Sequence, residues 1–285
     1  MTTLHLLGYA SGVAAALDSC ADGPKTLQQS PYLADLANHG IETHWELMLE
    51  PKEGLAKKEQ VQYLCKELAQ RVDQLVKAKK FFAVIGGDHS SAIGTWSGAS
   101  HACKEQGPLG LIWIDAHMDS NTPETSPTGN IHGMPLACLL GQGDIKLAPP
   151  LNPNHVCLIG VRDYGAGEAE LLKRLKVRVF YMDEVKERGL KVVMQEALRI
   201  VAHDTAHFGI SIDIDGLDPE DAPGTGIRLP GGIFAKELFE VLKPLAKNPK
   251  LIGIEIAEFN PHQDIEKKTE KLIPELILAL TKEYS

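Results

Sequence analysis

The chain has 285 residues, of which 44% are hydrophobic, and a net charge of −9 at pH 7, which suits one large α/β domain with a sizeable core. Its lysines alternate with acidic residues, so a basic surface for nucleic acid is not expected. No apolar run approaches the roughly 20 residues that cross a bilayer. The five cysteines are widely spaced without a CxxC pair, which favours buried, reduced thiols in a cytoplasmic protein.

Short apolar segments predict strands that alternate with helical patterns along the chain. Strands are predicted at residues 4–7, 81–85, 109–114, 156–160, 177–181, 208–214 and 251–256. Apolar stripes at helical spacing predict helices at residues 61–76, 192–201, 234–245 and 265–284, and Pro274 should kink or restart the last one. The alternation indicates an α/β fold in which helices flank a mainly parallel sheet, with residues 1–285 forming a single domain.

Four of the predicted strands run into acidic or histidine-containing motifs. These are GGDHS at 86–90, DAHMD at 115–119, DIDGLDP at 213–219 and EIAE at 255–258. Ligands of open parallel sheets bind beyond the carboxyl ends of the strands. The motifs are therefore expected to meet at one edge of the sheet.

Alternating positions in two of these motifs place acids on one side of the chain. Asp115, His117 and Asp119 follow this spacing, as do Asp213 and Asp215, and in an extended segment such side chains point the same way. Clustered carboxylates at a buried strand end must be neutralised by a cation or solvated by water. Either motif alone fits a solvated turn, but the two together, beside GGDHS, favour a metal site.

The ligand count points to two ions rather than one. The candidate ligands are His89, Asp115, His117, Asp119, Asp213 and Asp215. A catalytic zinc ion needs only three protein ligands, whereas this larger set suits two divalent ions that share carboxylates. Oxygen ligands with some imidazole favour manganese-like metals, and such ions acidify water toward neutral pH.

The motifs GGDHS, DAHMDSN and SIDIDGLDP resemble the three metal-binding signatures of the ureohydrolases, the family of arginase and agmatinase, and occur in the family's order. Weaker similarity extends from the first strand to about residue 260. The resemblance implies a three-layer arginase-like fold and hydrolysis of a small cationic guanidino substrate with release of urea. It also implies two Mn²⁺ ions per chain, other divalent metals being possible, and a homo-oligomer, a trimer or hexamer by analogy.

The same resemblance assigns roles to the site residues. One metal would be held by His89, Asp115, Asp119 and Asp213, and the other by Asp115, His117, Asp213 and Asp215. The residues implied in catalysis are His132, which would carry protons to the leaving amine, Glu258, which would pair with the guanidinium, and Asp119.

Within the family, the loop after the second motif looks most like that of arginase. Asn121, Thr128 and Asn130 would hold the α-carboxylate of the substrate, and Glu168 would lie near its α-amino group.

Two positions depart from the arginase pattern, because Gly165 stands where an acid is usual and Ile227 where a threonine is usual. L-arginine is therefore the leading substrate, with 4-guanidinobutyrate or agmatine as alternatives. A non-catalytic metal-binding relative and a single-metal zinc deacetylase remain open as other classes.

Overall fold

The computed structural model describes residues 2–281 and contains one sheet of eight parallel strands. The strands are β1 (Thr2–Tyr9), β2 (Ile41–Leu49), β3 (Phe82–Gly86), β4 (Leu109–Ile114), β5 (Val156–Val161), β6 (Arg178–Tyr181), β7 (His207–Asp213) and β8 (Leu251–Ala257). Their order across the sheet is β2-β1-β3-β8-β7-β4-β5-β6. The predicted strands are all present, with ends displaced by one or two residues, and the predicted parallel sheet is confirmed.

The edge strand β2 was not predicted. Its sequence, IETHWELML, mixes polar and apolar residues, and it pairs with β1 alone. The pairing contains a bulge, because Leu6 lies opposite Trp45 while Leu7 lies opposite Leu47, which leaves Glu46 without a partner residue. The Glu46 carboxylate instead accepts hydrogen bonds from His5 and from Arg71. The position of β2 is therefore stabilised by side chains from other segments, which the sequence of β2 alone does not predict.

Helices cover both faces of the sheet. The α-helices within residues 2–281 are α1 (Gly23–Gln28), α2 (Pro31–Ala34), α3 (Lys57–Lys77), α4 (Ser91–Cys103), α5 (Pro135–Leu139), α6 (Ala166–Leu175), α7 (Met182–Arg188), α8 (Leu190–Ala202), α9 (Ala235–Leu242) and α10 (Lys268–Thr281). None of them is both long enough and apolar enough to cross a membrane.

Alternation along each strand divides the core into two layers. In β3, Ala83 and Ile85 pack into a core shared with α8, α9 and α10, whereas Phe82 and Val84 pack into a core shared with α3, α4 and α5. Successive strand residues point to opposite faces, so strands β3, β4 and β5 contribute to both layers, whereas β7 places its buried apolar side chains in the first layer. This arrangement confirms the three-layer α/β fold.

The helix predictions were incomplete, because the described helices α1, α2, α4, α5, α6 and α7 were not predicted, and the bounds of the last helix need correction. Helix α4 was missed because its sequence, SAIGTWSGASHAC, is buried almost throughout and has no polar face to set a helical period. The last helix begins at Lys268 instead of residue 265 and continues through Pro274 without restarting. The predicted end of that helix, at residue 284, lies outside the described residues.

Candidate metal centre and cleft

The four strands that carry the sequence motifs lie next to one another. Strands β3, β8, β7 and β4 form the middle of the sheet in that order, and each motif lies at or just beyond the carboxyl end of its strand. Parallel strands end at the same edge, so residues far apart in sequence meet there. This strand order explains why the four motifs converge, as the sequence predicts.

A first group of buried ligands surrounds the His89 imidazole. The group comprises His89, Asp115, Asp119 and Asp213, whose ligand atoms all lie within 4.8 Å of one another. His89 Nδ1 is 3.0 Å from Asp213 Oδ2 and 3.1 Å from Asp119 Oδ2, yet within residues 2–281 this buried nitrogen makes no hydrogen bond. A nitrogen close to several carboxylates but aligned with none of them fits a metal ligand better than a hydrogen-bond donor.

A second group adjoins the first through Asp115. It comprises Asp115, His117 and Asp215. His117 Nδ1 lies 3.1 Å from Asp215 Oδ2 and 3.5 Å from Asp115 Oδ1, while the other Asp115 oxygen, Oδ2, lies 3.5 Å from His89 Nδ1. Asp115 is thus placed to bridge two ions. The bridging role of Asp213 stays a prediction, because its ligand atom falls in the first group alone.

Electrostatics in the cluster also favour cations. Burial and the charge of Asp115 raise the pKa of Asp119 to about 7. Burial raises the pKa of Asp213 well above its usual value, and Asp215 and Asp115 add to the effect. Buried carboxylates that repel one another are stabilised when they share a divalent cation. The donor set therefore fits the two metal ions expected from the sequence.

Unusual backbone geometry shapes the two acidic turns. Asp119 has a φ of 47° and Glu258 a φ of 64°, in the left-handed region that non-glycine residues seldom occupy. The Glu258 amide donates to Gly87 O over 2.8 Å. A Cβ atom at Gly87 would lie 2.2 Å from Ser11 O, so only glycine fits there. Left-handed residues of this kind cluster at functional sites.

His132 and Glu258 form a hydrogen-bonded pair beside the cluster. His132 Nδ1 donates to Glu258 Oε1 over 3.0 Å, and the same oxygen accepts from the His89 amide over 2.9 Å. Burial alone would lower the pKa of His132, but the hydrogen bond and charge of Glu258 outweigh it and raise this pKa to about 9. The carboxylate of Glu258 thus favours the protonated imidazole, which is the form that a general acid requires.

A cleft of about 380 Å³ opens over these groups. The structure brings together along its walls the residues assigned from the sequence to substrate, namely Asn121, Thr128, Asn130, His132, Glu168 and Glu258. The cleft also includes Leu17 and Tyr164, which were not predicted. With Ile227 they form a partly exposed apolar rim.

The acidic end of the cleft is less open to ligand than expected. Glu168 is buried, and its carboxylate accepts from the Ser120 amide over 3.1 Å and from the Gly165 amide over 2.8 Å. Both oxygens therefore bind backbone groups, one in the loop after the second motif and one at the start of α6. Gly165, at the position usually held by an acid, brings no charge of its own.

Sequence reasoning assigned no role to two groups beside the site. Lys57 Nζ donates to Asn130 Oδ1 over 3.2 Å and to Ala15 O over 3.4 Å, but a lysine within a run of charges carries no signal of its own. Ser211 and Glu255 lie opposite each other in β7 and β8. Polar residues inside otherwise apolar strands were the signal available for this pair.

Comparison with known proteins places this arrangement among related enzymes. The model of the arginase family matches residues 7–281. An arginase from Bacillus caldovelox is 41% identical over 75% of this chain and 73% of its own length, and one from Brevibacillus brevis is 38% identical over 90% of each chain. A crystal structure of Bacillus subtilis arginase, 34% identical, superposes with a TM-score of 0.90 over 99% of this chain and 98% of that one.

Proposed function

Because the chain belongs to the arginase family, we propose that it hydrolyses L-arginine to L-ornithine and urea with two divalent metal ions. The observation that carries this proposal is the convergence of two ligand groups sharing Asp115 with the His132–Glu258 pair in one cleft. Membership of the family also makes the chain a hydrolase of guanidino compounds.

The proposed ions would lie in the two ligand groups described above, with Asp213 shared as a second bridge. Manganese is the metal we infer, because carboxylate oxygens with some imidazole suit it. When bound, the two ions supply a water molecule acidified enough to act as nucleophile near neutral pH. Asp119 both belongs to the first group and lines the cleft, so we propose that it orients this water.

The guanidinium end of the substrate is assigned to Glu258. Among the described residues, the hydrogen bonds of its carboxylate use Oε1, so Oε2 is open to a guanidinium N–H. A carboxylate and a planar guanidinium form strong charge-assisted hydrogen bonds. The neighbouring imidazole of His132 then donates its proton to the departing amine.

The carboxylate end is assigned to the loop that carries Asn121, Thr128 and Asn130. These three side chains line the cleft and offer amide and hydroxyl donors. Lys57 adds a positive charge beside Asn130. A substrate with a carboxylate is therefore favoured over agmatine, which has none.

A second candidate is 4-guanidinobutyrate, and the α-amino end of the cleft favours it. Gly165 brings no charge, and the oxygens of Glu168 are already bonded to backbone amides. An α-ammonium group would thus find a weaker partner here than in a cleft with a free acid. The carboxylate contacts would serve 4-guanidinobutyrate equally well.

Urea release from a panel of guanidino compounds separates these candidates. L-arginine, agmatine and 4-guanidinobutyrate are compared by kcat/KM with manganese added. We expect L-arginine to be the best substrate. A higher value for agmatine would refute the carboxylate assignment, and a higher value for 4-guanidinobutyrate would show that Gly165 decides specificity. Urea from none of them would favour a non-catalytic relative or another amidine substrate.

We also propose a homo-oligomeric, cytoplasmic enzyme. The trimer or hexamer rests on analogy with the family. The location is supported by the five cysteines, which are buried and free, as is usual in a reducing compartment.

A further inference from the structure

Glu255 is a fully buried carboxylate in the centre of the sheet. It lies on β8 directly opposite Ser211 on β7, and neither side chain is exposed. Burial raises the pKa of Glu255, and its hydrogen bonds act in the opposite direction. A charge so placed is unfavourable unless it is fully hydrogen-bonded, so its partners indicate what it does.

The contacts of Glu255 lead to the metal cluster. Its Oε2 accepts from Ser211 Oγ over 2.6 Å and from Trp96 Nε1 over 3.2 Å, and its Oε1 accepts from the Ser91 hydroxyl. The Ser211 oxygen in turn lies 2.9 Å from His89 Nε2. A continuous chain of hydrogen bonds thus joins Glu255 to the far side of the His89 ring.

The hydrogens available on each group determine which atom donates and which accepts along these hydrogen bonds. An indole N–H can only donate, so Trp96 establishes Oε2 of Glu255 as an acceptor. Ser211, bonded to the same oxygen, must donate its only hydroxyl hydrogen there. Its oxygen is then left to accept, and the hydrogen between it and His89 must come from Nε2. The ring therefore carries its proton on Nε2 and presents the Nδ1 lone pair to the three carboxylates.

We propose that Glu255 is a positioning residue that acts through Ser211 to hold His89 in the tautomer that binds metal. The inference rests on the metal site of the proposed function. Without Glu255, the Ser211 hydroxyl could donate to Nε2, and a proton on Nδ1 would occupy the position of the ion. Metal binding requires that this nitrogen be deprotonated.

Metal affinity, measured by manganese titration of the metal-free protein, tests the proposal. Glu255→Met keeps similar bulk but replaces the carboxylate with a thioether, which is only a weak acceptor, and losses of this kind lower metal affinity about 10- to 100-fold. We expect that loss for one of the two ions. Glu255→Gln can keep its oxygen toward Ser211 and Trp96, so it should retain both ions at wild-type affinity.

Two further variants separate positioning from general packing. Glu270 is another buried glutamate, and its Oε1 accepts from Ser30 Oγ over 2.8 Å. Glu270→Met should lower thermal stability without changing manganese affinity. In a Ser211→Ala background, Glu255→Met should cause no additional loss, because the route to His89 is already broken.

Wild-type affinity for both ions in folded Glu255→Met would overturn the proposal. It would also be overturned if Glu255→Met lowered manganese affinity as much in the Ser211→Ala background as in the wild type. Failure of Glu255→Gln to retain both ions would also contradict it. If Glu255→Met does not fold, the manganese affinity of Ser211→Ala tests the proposal by itself, and an unchanged affinity in that variant would overturn it. Wild-type protein that binds no manganese would instead refute the proposed function, which keeps the two failures distinct.

Discussion

At the scale of single residues, His132 has the clearest catalytic assignment. It is held by Glu258, borders the metal cluster and lines the cleft. It belongs to neither ligand group, so its removal should affect proton transfer without affecting the metals.

We predict that His132→Ala lowers kcat by about 10²–10⁴, the usual contribution of a general acid, while two ions remain bound. Steady-state urea release and metal analysis on the same sample test this together. His203→Ala, at an exposed histidine, is the control and should behave as wild type. An unchanged kcat in His132→Ala would remove this residue from the mechanism.

Gly165 is the residue whose replacement should change specificity. Its φ of −86° and ψ of 154° are open to any residue, and a Cβ atom there would lie 3.4 Å from Glu168 Oε2, an ordinary contact. Aspartate is also favoured before the first turn of a helix. The fold should therefore accept an acid at this position.

Gly165→Asp should raise kcat/KM for L-arginine relative to 4-guanidinobutyrate by about tenfold or more, because a hydrogen bond to a charged group contributes roughly 1.5–3 kcal/mol. Gly165→Ala adds the Cβ without the charge and should leave the ratio unchanged. A wild-type ratio in both variants would show that residue 165 does not set the preference at the α-amino end.

Among the elements, strand β2 lies at one edge of the sheet, where it pairs with β1 and depends on side-chain contacts for further support. Its bulge residue Glu46 has a buried carboxylate that joins β1 to α3 through His5 and Arg71. Burial would raise the pKa of Glu46, but these two partners outweigh it and lower that pKa. The carboxylate therefore stabilises the folded state when ionised.

We predict that Glu46→Gln lowers the free energy of unfolding by about 1 kcal/mol at pH 7, since Arg71 is partly exposed. The folded pKa is below the unfolded value of about 4.3, so this contribution is present above that pH and lost below it. In urea unfolding of metal-free protein from pH 7 downward, the midpoints of the wild type and of Glu46→Gln should converge in acid. Glu42→Gln, exposed on the same strand, is the control. A difference independent of pH would contradict the assignment.

The elements also show what the sequence could and could not predict. Apolar runs such as LGLIWI identify buried parallel strands because both faces must be covered, and the acids that follow them mark the site. Strand β2 was not predicted because its sequence mixes polar with apolar residues, and helix α4 was not predicted because it has no polar face. The link from Glu255 to His89 depends on strand order, which pairs residues 44 positions apart.

At the scale of the whole molecule, the metal centre belongs to the sheet rather than to any one segment. Its ligands come from the three central strands β3, β4 and β7, and β8 between β3 and β7 contributes Glu258 and Glu255. Hydrogen bonds within the sheet hold the metal-ligating side chains on their buried side, and the cleft loops lie on their solvent side. We expect this assembly to bind two ions and hydrolysis to require both.

The most direct measurement is urea release from L-arginine as metal-free protein is titrated with manganese, with bound metal counted at each step. We predict that the rate rises with the second ion and reaches its maximum at about two ions per chain, as two-metal sites require. Full activity with a single bound ion, or with one zinc ion, would contradict the account.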